Sequence, residues 1–126
     1  MKEEIHKLIK KSEHALKVAE KLIQEEYPSD AASKIYYSLF YASQALLKSE
    51  GIEVTKHSAV ESAFGFHFVK TGKIDSSYHK MLIDSRKVRE ISDYGIDEEI
   101  TLEQASLKLK DGILFLTKIK TILGIE

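Results

Sequence analysis

Apolar residues recur at intervals of three and four along most of the chain, the spacing that lines one face of an α-helix. From Lys2 to Glu26, the positions Ile5, Leu8, Ile9, Ser12, Ala15, Leu16, Ala19, Leu22 and Ile23 make such a face, and Tyr27-Pro28 closes the segment. A second helix is expected next, capped by Ser29 or Asp30 and ended at Gly51. Between Ala31 and Leu47 only Lys34 and Gln44 are strongly polar. Ile35, Tyr36, Leu39 and Leu46 take one side, while Tyr37, Phe40 and Tyr41 turn away. A helix apolar all round is either central to a bundle or shared with another subunit.

A third, shorter helix is expected from Lys56 to Val69, with Thr55 as its cap and Thr71-Gly72 as its end. The fourth runs from Asp75 to Tyr94 and stops at Gly95. The fifth opens on Thr101-Leu102-Glu103-Gln104, a capping-box pattern in which Thr and Gln satisfy free backbone N–H groups. It carries Leu102, Ala105, Leu109, Ile113, Leu116 and Ile119 to a stop at Gly124. No stretch shows the alternation of a strand. Short connections between long helices predict an all-α, up-and-down bundle of about five helices, four long and one short. At 126 residues, one domain spanning 1–126 is expected.

Composition narrows the chemistry. The net charge of −1 gives no global pull toward nucleic acid, so any anion site must be a local patch. The chain has no cysteine, which excludes disulfides, thiolate metal sites and a cysteine nucleophile. MKEEIHKLIKK carries charge where a signal peptide has its apolar core, and no apolar run is long enough for a membrane span. A cytoplasmic protein without membrane contact is the expectation. No cofactor is expected either. His57 and Glu61 lie four apart but lack a third metal ligand at useful spacing. The Gly65 to Lys73 stretch fails as a phosphate-binding loop, because Ile74 follows Lys73 where Ser or Thr is needed.

The stretch RKVREISDYG is where candidate chemistry concentrates. On an ideal helix Arg86, Arg89, Glu90 and Asp93 share an arc of about 100°, with Tyr94 at its edge. Arg86 and Glu90 are four apart, as are Arg89 and Asp93, so both pairs can meet. The opposite side has Met81, Ser85, Val88 and Ser92 at its centre, with Tyr78 and Leu82 beside them. Its small serines let another helix approach, which leaves the ion cluster half-buried. Two readings stay open: a structural salt-bridge network, or guanidiniums held by carboxylates and ready to grip a phosphate.

Three segments in order, AASKIYYSLFYASQALLKSEGIEVTKHSAV, FGFHFVKTGKID and RKVREISDYG, resemble the HEPN superfamily. More narrowly, they resemble its small stand-alone prokaryotic members of the UPF0332 type. That group shows a helix reading roughly S-R-A-Y-Y-A-x-F-H-A, then T-K-x-H, then F-x-K-T-G, then a late helix ending R-x-x-A-D-Y. The resemblance covers Ala31 to Gly95, and the flanking helices fit in length. It implies a HEPN-like bundle that dimerises with its own kind and is commonly encoded beside a small nucleotidyltransferase, as toxin and antitoxin. Many relatives are metal-independent ribonucleases with an R-x4–6-H motif, whose arginine stabilises developing charge while the histidine moves a proton. Here that histidine is missing. The permitted positions after Arg86 and Arg89 hold Ile91, Ser92, Asp93, Tyr94, Gly95 and Ile96. An aspartate with a pKa of about 4 is a poor proton donor at neutral pH. Lys34 also stands where the group has arginine, and Tyr41 where it often has histidine.

Other candidates follow. His57, directly after Lys56, is either a polar helix start or a proton carrier facing the arginines, with Lys56 as a phosphate contact. Lys7, Lys10, Lys11, His14, Lys17 and Lys21 form a basic stripe on the first helix. It reads as an ordinary solvated face, with nucleic-acid backbone tracking as the alternative. Tyr36, Tyr37 and Tyr41 read as core and interface rather than as base-stacking platforms. The expectation is therefore a module that binds RNA, a nucleotide or a partner through Arg86, Arg89, Asp93, Tyr94 and Lys56, in a toxin–antitoxin-like pair. By family analogy Tyr94 would also be a target for modification by the partner. The alternatives are a ribonuclease using Arg89, with His57 or Asp93 as proton carrier, and a helical interaction protein with no ligand.

Overall fold

The computed structural model describes residues 2–96 and 99–126. Five α-helices form in chain order: α1 (Lys2–Gln24), α2 (Pro28–Ser49), α3 (His57–Phe64), α4 (Ser76–Tyr94) and α5 (Leu102–Leu123). No strand occurs among the described residues, and the architecture is the expected all-α bundle. α2 packs against each of the other four helices. That explains its all-round apolar character: Ala31, Ile35, Tyr36, Leu39, Phe40, Leu46 and Leu47 are all buried, and they point in several directions.

The α1 face is the one its spacing predicts, with Ile9, Ser12, Ala15, Leu16 and Ala19 buried. Small residues bring α1 and α2 close. Ser12 Oγ donates to the Ser38 carbonyl at 2.7 Å, and Ser38 Oγ donates back to the Ser12 carbonyl at 2.9 Å. The two buried hydroxyls thus satisfy each other's helix, so burial costs no unpaired group. α5 approaches the same pair at Gly112, where a Cβ would lie 2.9 Å from Leu16 Cδ2. The capping box at Thr101 and Gln104 is present. Gly124 ends α5 in the left-handed region (φ 70°), which glycine adopts without strain.

Several expected boundaries differ. α1 ends at Gln24, not Glu26: Glu26 turns left-handed (φ 66°), and the Tyr27 N–H reaches back to the Leu22 carbonyl at 2.7 Å. Neither Ser29 nor Asp30 caps α2. The helix starts at Pro28 after Tyr27, with no side-chain cap; proline suits this first position because its fixed φ is helical and it leaves one fewer unpaired N–H. Thr55 does not cap α3 either, since Lys56 occupies that place without a side-chain bond.

The third helix is not α-helical through to Val69. It widens into a π-helical turn over Gly65–Val69, with the Lys70 N–H donating to the Gly65 carbonyl. A histidine of α4 packs opposite this turn. His79 Nε2 donates to the Glu61 carbonyl at 3.0 Å, and its ring lies so near Gly65 that a Cβ there would come within 2.7 Å. On α4, Leu82 and Ser85 are the deepest residues, while Met81, Val88 and Ser92 are only half-buried, so the packed face is rotated slightly from the one expected. No helix among the described residues is long and apolar enough to cross a membrane.

Candidate functional site

α3 begins beside the aromatic flank of α2, and the second half of α4 crosses the same flank. His57, on the first turn of α3, is packed into that flank. Its ring centroid lies 4.4 Å from Phe40, 5.4 Å from Tyr36 and 5.7 Å from Tyr37. Burial, and then the nearby positive charge of Arg89, hold its pKa below the usual imidazole value. His57 is therefore neutral at neutral pH and able to accept a proton.

Arg89 comes from α4 and lies across the tyrosines. Its guanidinium carbon is 5.1 Å from the Tyr36 ring centroid and 5.5 Å from that of Tyr37. Nη1 donates to the Tyr37 hydroxyl over a long 3.4 Å. Nε is 3.3 Å from Asp93 Oδ2, within ion-pair range, but its N–H is not aimed at that oxygen. It is the one buried side-chain polar atom without a hydrogen-bond partner among the described residues. The contact with Asp93 is thus one of charge, not of a directed hydrogen bond. The side chain is only 13% exposed. Burial also pushes the Tyr36 hydroxyl up to about 12, against the opposing pull of Arg89, so Tyr36 stays protonated.

Arg86, one turn earlier, is held differently. Its Nε donates to Glu61 Oε1 at 2.8 Å and its Nη1 to Glu90 Oε1 at 2.9 Å. These two carboxylates raise its already high pKa, and Glu61 matters most. Both four-apart pairs expected on α4, Arg86 with Glu90 and Arg89 with Asp93, are formed. Between α3 and α4 lies an open depression of about 520 Å³ lined by His57, Ser58, Glu61, Arg86, Arg89 and Glu90.

The fold therefore brings together three of the residues singled out in the sequence: His57, Arg86 and Arg89. Asp93 touches Arg89 but does not line the depression. Lys56 is exposed and outside the lining, and Tyr94, 73% exposed, stands clear of it. Glu61 had been paired with His57 only as a rejected metal ligand; its partner is Arg86. The tyrosine platform under Arg89 was also missed, because the tyrosines and the arginines are some fifty residues apart in sequence. Chemically, the depression offers one guanidinium stacked on aromatic faces, a second fixed by carboxylates, and a neutral imidazole. Such a set can grip a phosphate and exchange a proton beside it.

An all-α bundle with an aromatic central helix, a histidine opening the short helix and two arginines late in the fourth defines a HEPN-like protein. The HEPN domain family model matches residues 5–122, and the chain belongs to that family. The chain is 38% identical to a Methanocaldococcus jannaschii protein named "Putative toxin MJ0142", over 97% of this chain and 83% of that protein. A second protein of that organism, "Putative toxin MJ0605", is 32% identical over 98% of this chain and 91% of its own length. "UPF0332 protein PH1297" of Pyrococcus horikoshii is 39% identical over 78% of this chain and 69% of its own length.

Proposed function

We propose that this HEPN-domain protein is the RNA-directed member of a toxin–antitoxin-like pair and binds an RNA or nucleotide phosphate between α3 and α4. The observation that carries this reading is Arg89. A guanidinium stacked on two tyrosine rings, hydrogen-bonded to the Tyr37 hydroxyl and paired with Asp93 is held more firmly than a lone salt bridge on a helix surface. Arg89 also lines the open depression, where a phosphate oxygen can accept a charge-assisted hydrogen bond from its guanidinium. Arg86 adds a second guanidinium whose direction Glu61 and Glu90 fix, those two carboxylates balancing the charge of the two arginines. The toxin names of the relatives support the same reading. A small nucleotidyltransferase as partner and a second copy of this chain across a two-fold axis belong to the proposal on the strength of the family resemblance. The exposed Tyr94 hydroxyl suits modification by such a partner.

A second reading is cleavage. The neutral His57 would take the 2′-hydroxyl proton as that oxygen bonds to phosphorus and return it to the 5′-oxygen as the P–O5′ bond breaks, while Arg89 would stabilise the charge developing on the phosphate oxygens, without a metal. Incubating the protein with mixed RNA in EDTA separates the two readings. Intact RNA with binding that weakens in Arg89→Met supports the binding module. Cleavage lost in both Arg89→Met and His57→Gln supports the nuclease. Binding unaffected by Arg89→Met, with no cleavage, refutes both.

A further inference from the structure

A second hollow lies apart from the depression just described and is roomier. It is an open groove of about 660 Å³ between α1 and α2. Lys10, Lys11 and His14 come from α1, Lys34 from α2, and all four are exposed. Ala15 and Val18 make an apolar floor, and the half-buried rings of Tyr37 and Tyr41 form one wall. No carboxylate lines it. Among the described residues, none of the three lysines is in an ion pair. On a chain of net charge −1, a cleft with three lysines and no carboxylate in its lining is a concentrated local field.

The basic stripe of α1 thus differs from an ordinary solvated face, because half of it borders a hollow containing aromatic rings. The rings of Tyr37 and Tyr41 are 6.1 Å apart at 33°, and the Lys11 ammonium lies 5.4 Å from the Tyr41 centroid. We infer that this groove binds single-stranded nucleic acid, with an unpaired base against the tyrosines and the flanking phosphates on Lys10, Lys11 and Lys34. Lysines supply the phosphate contacts, and an apolar floor with tyrosine rings suits a base face. A duplex keeps its bases stacked inside and has nothing to offer the rings. The Tyr37 hydroxyl is also the acceptor for Arg89, so this residue forms the partition between the groove and the arginine site. The inference stands without the reading of Arg89 as a phosphate ligand; if both hold, one strand can engage both.

The test is fluorescence anisotropy with labelled 12-nucleotide oligo-U, oligo-dT and a 12-base-pair RNA duplex, each over a salt series. Wild type is expected to bind the single strands more tightly than the duplex. Equal affinity for oligo-U and oligo-dT assigns the contacts to base and phosphate; a preference for oligo-U adds the ribose hydroxyl to them. Lys11→Gln with Lys34→Gln removes two phosphate contacts and should reduce the salt slope by about 1.4, at roughly 0.7 per contact. Tyr41→Leu should weaken binding about 5- to 150-fold. Circular dichroism melts confirm that each variant is folded. Loss in the groove variants with Arg89→Met unchanged upholds the groove and refutes the phosphate site of Arg89. No single-strand binding, tighter duplex binding, or unchanged affinity and slope in the groove variants overturns the inference.

Discussion

Arg89→Met separates a ligand residue from a structural strut. Methionine keeps the apolar stem and removes the charge. The lost interactions are two cation–π contacts at 5.1 and 5.5 Å, the long 3.4 Å hydrogen bond to the Tyr37 hydroxyl and an ion pair with Asp93. The stacking is worth about 1–3 kcal/mol in total for a partly desolvated guanidinium. The ion pair adds about 0–1 kcal/mol, because Asp93 is 36% exposed and solvent screens it. Against these stands the buried Nε without a hydrogen bond, whose desolvation costs about 1–3 kcal/mol. The contributions largely cancel, so the urea unfolding free energy should change by less than about 3 kcal/mol. Affinity for a short RNA should fall about 10- to 150-fold, the loss of a charge-assisted phosphate contact of about 1.5–3 kcal/mol. The His57 pKa, followed by NMR of its ring protons, should rise toward 6.5, since one of its two depressing causes is gone. Destabilisation beyond about 3 kcal/mol with RNA affinity unchanged would falsify the reasoning and make Arg89 a strut.

Three further outcomes test the fold. Because the folded-state pKa of His57 lies below its unfolded value, the unfolded chain takes up the proton first as pH falls. The contribution of His57 to stability is thus complete above about pH 6.5 and declines as pH drops toward the folded pKa; urea midpoints should fall less steeply over that window in His57→Gln, and equal slopes would contradict this. Gly112→Ala gains about 1 kcal/mol of helix propensity but places a Cβ 2.9 Å from Leu16 Cδ2 and 3.4 Å from Leu39 Cδ1, an overpacking cost of about 1–3 kcal/mol. A lower melting temperature is expected, and a higher one would show that the helices give way freely. Ser12→Ala and Ser38→Ala should each cost about 1 kcal/mol, and the double variant should cost less than their sum, with a coupling of about 0.5 kcal/mol or more; strict additivity would mean that the hydroxyl pair does not act as a unit.

Much of the bundle was legible because helices advertise themselves locally. The spacing from Ile5 to Ile23, the capping box at Thr101 and the stop at Gly124 are short-range signals, and all three are realised. The pairing of Arg86 with Glu90 and of Arg89 with Asp93 was legible for the same reason, since residues four apart on a helix are neighbours. The all-round apolar character of α2 announced a central helix. Ser29 and Asp30 fail as caps because α2 starts at Pro28 and takes both into its first turn, and Thr55 fails because Lys56 holds the cap place of α3.

By itself, then, the sequence determined the helices, their order, the family and the intrahelical ion pairs, all set by contacts within a turn or by motif order. Tertiary structure alone decided what the charges face. Glu61 clamps Arg86 from another helix, Tyr36 and Tyr37 carry Arg89 across some fifty residues of chain, and His79 packs its ring against Gly65. It also decided that Lys34 and Tyr41 close a groove with one half of the α1 stripe while Lys56 and Tyr94 stand outside the arginine depression. Helix periodicity specifies which side of a helix is apolar. The rotation of one helix against the next depends on how Gly112, Ser12, Ser38 and Gly65 let backbones approach, and no local pattern encodes it.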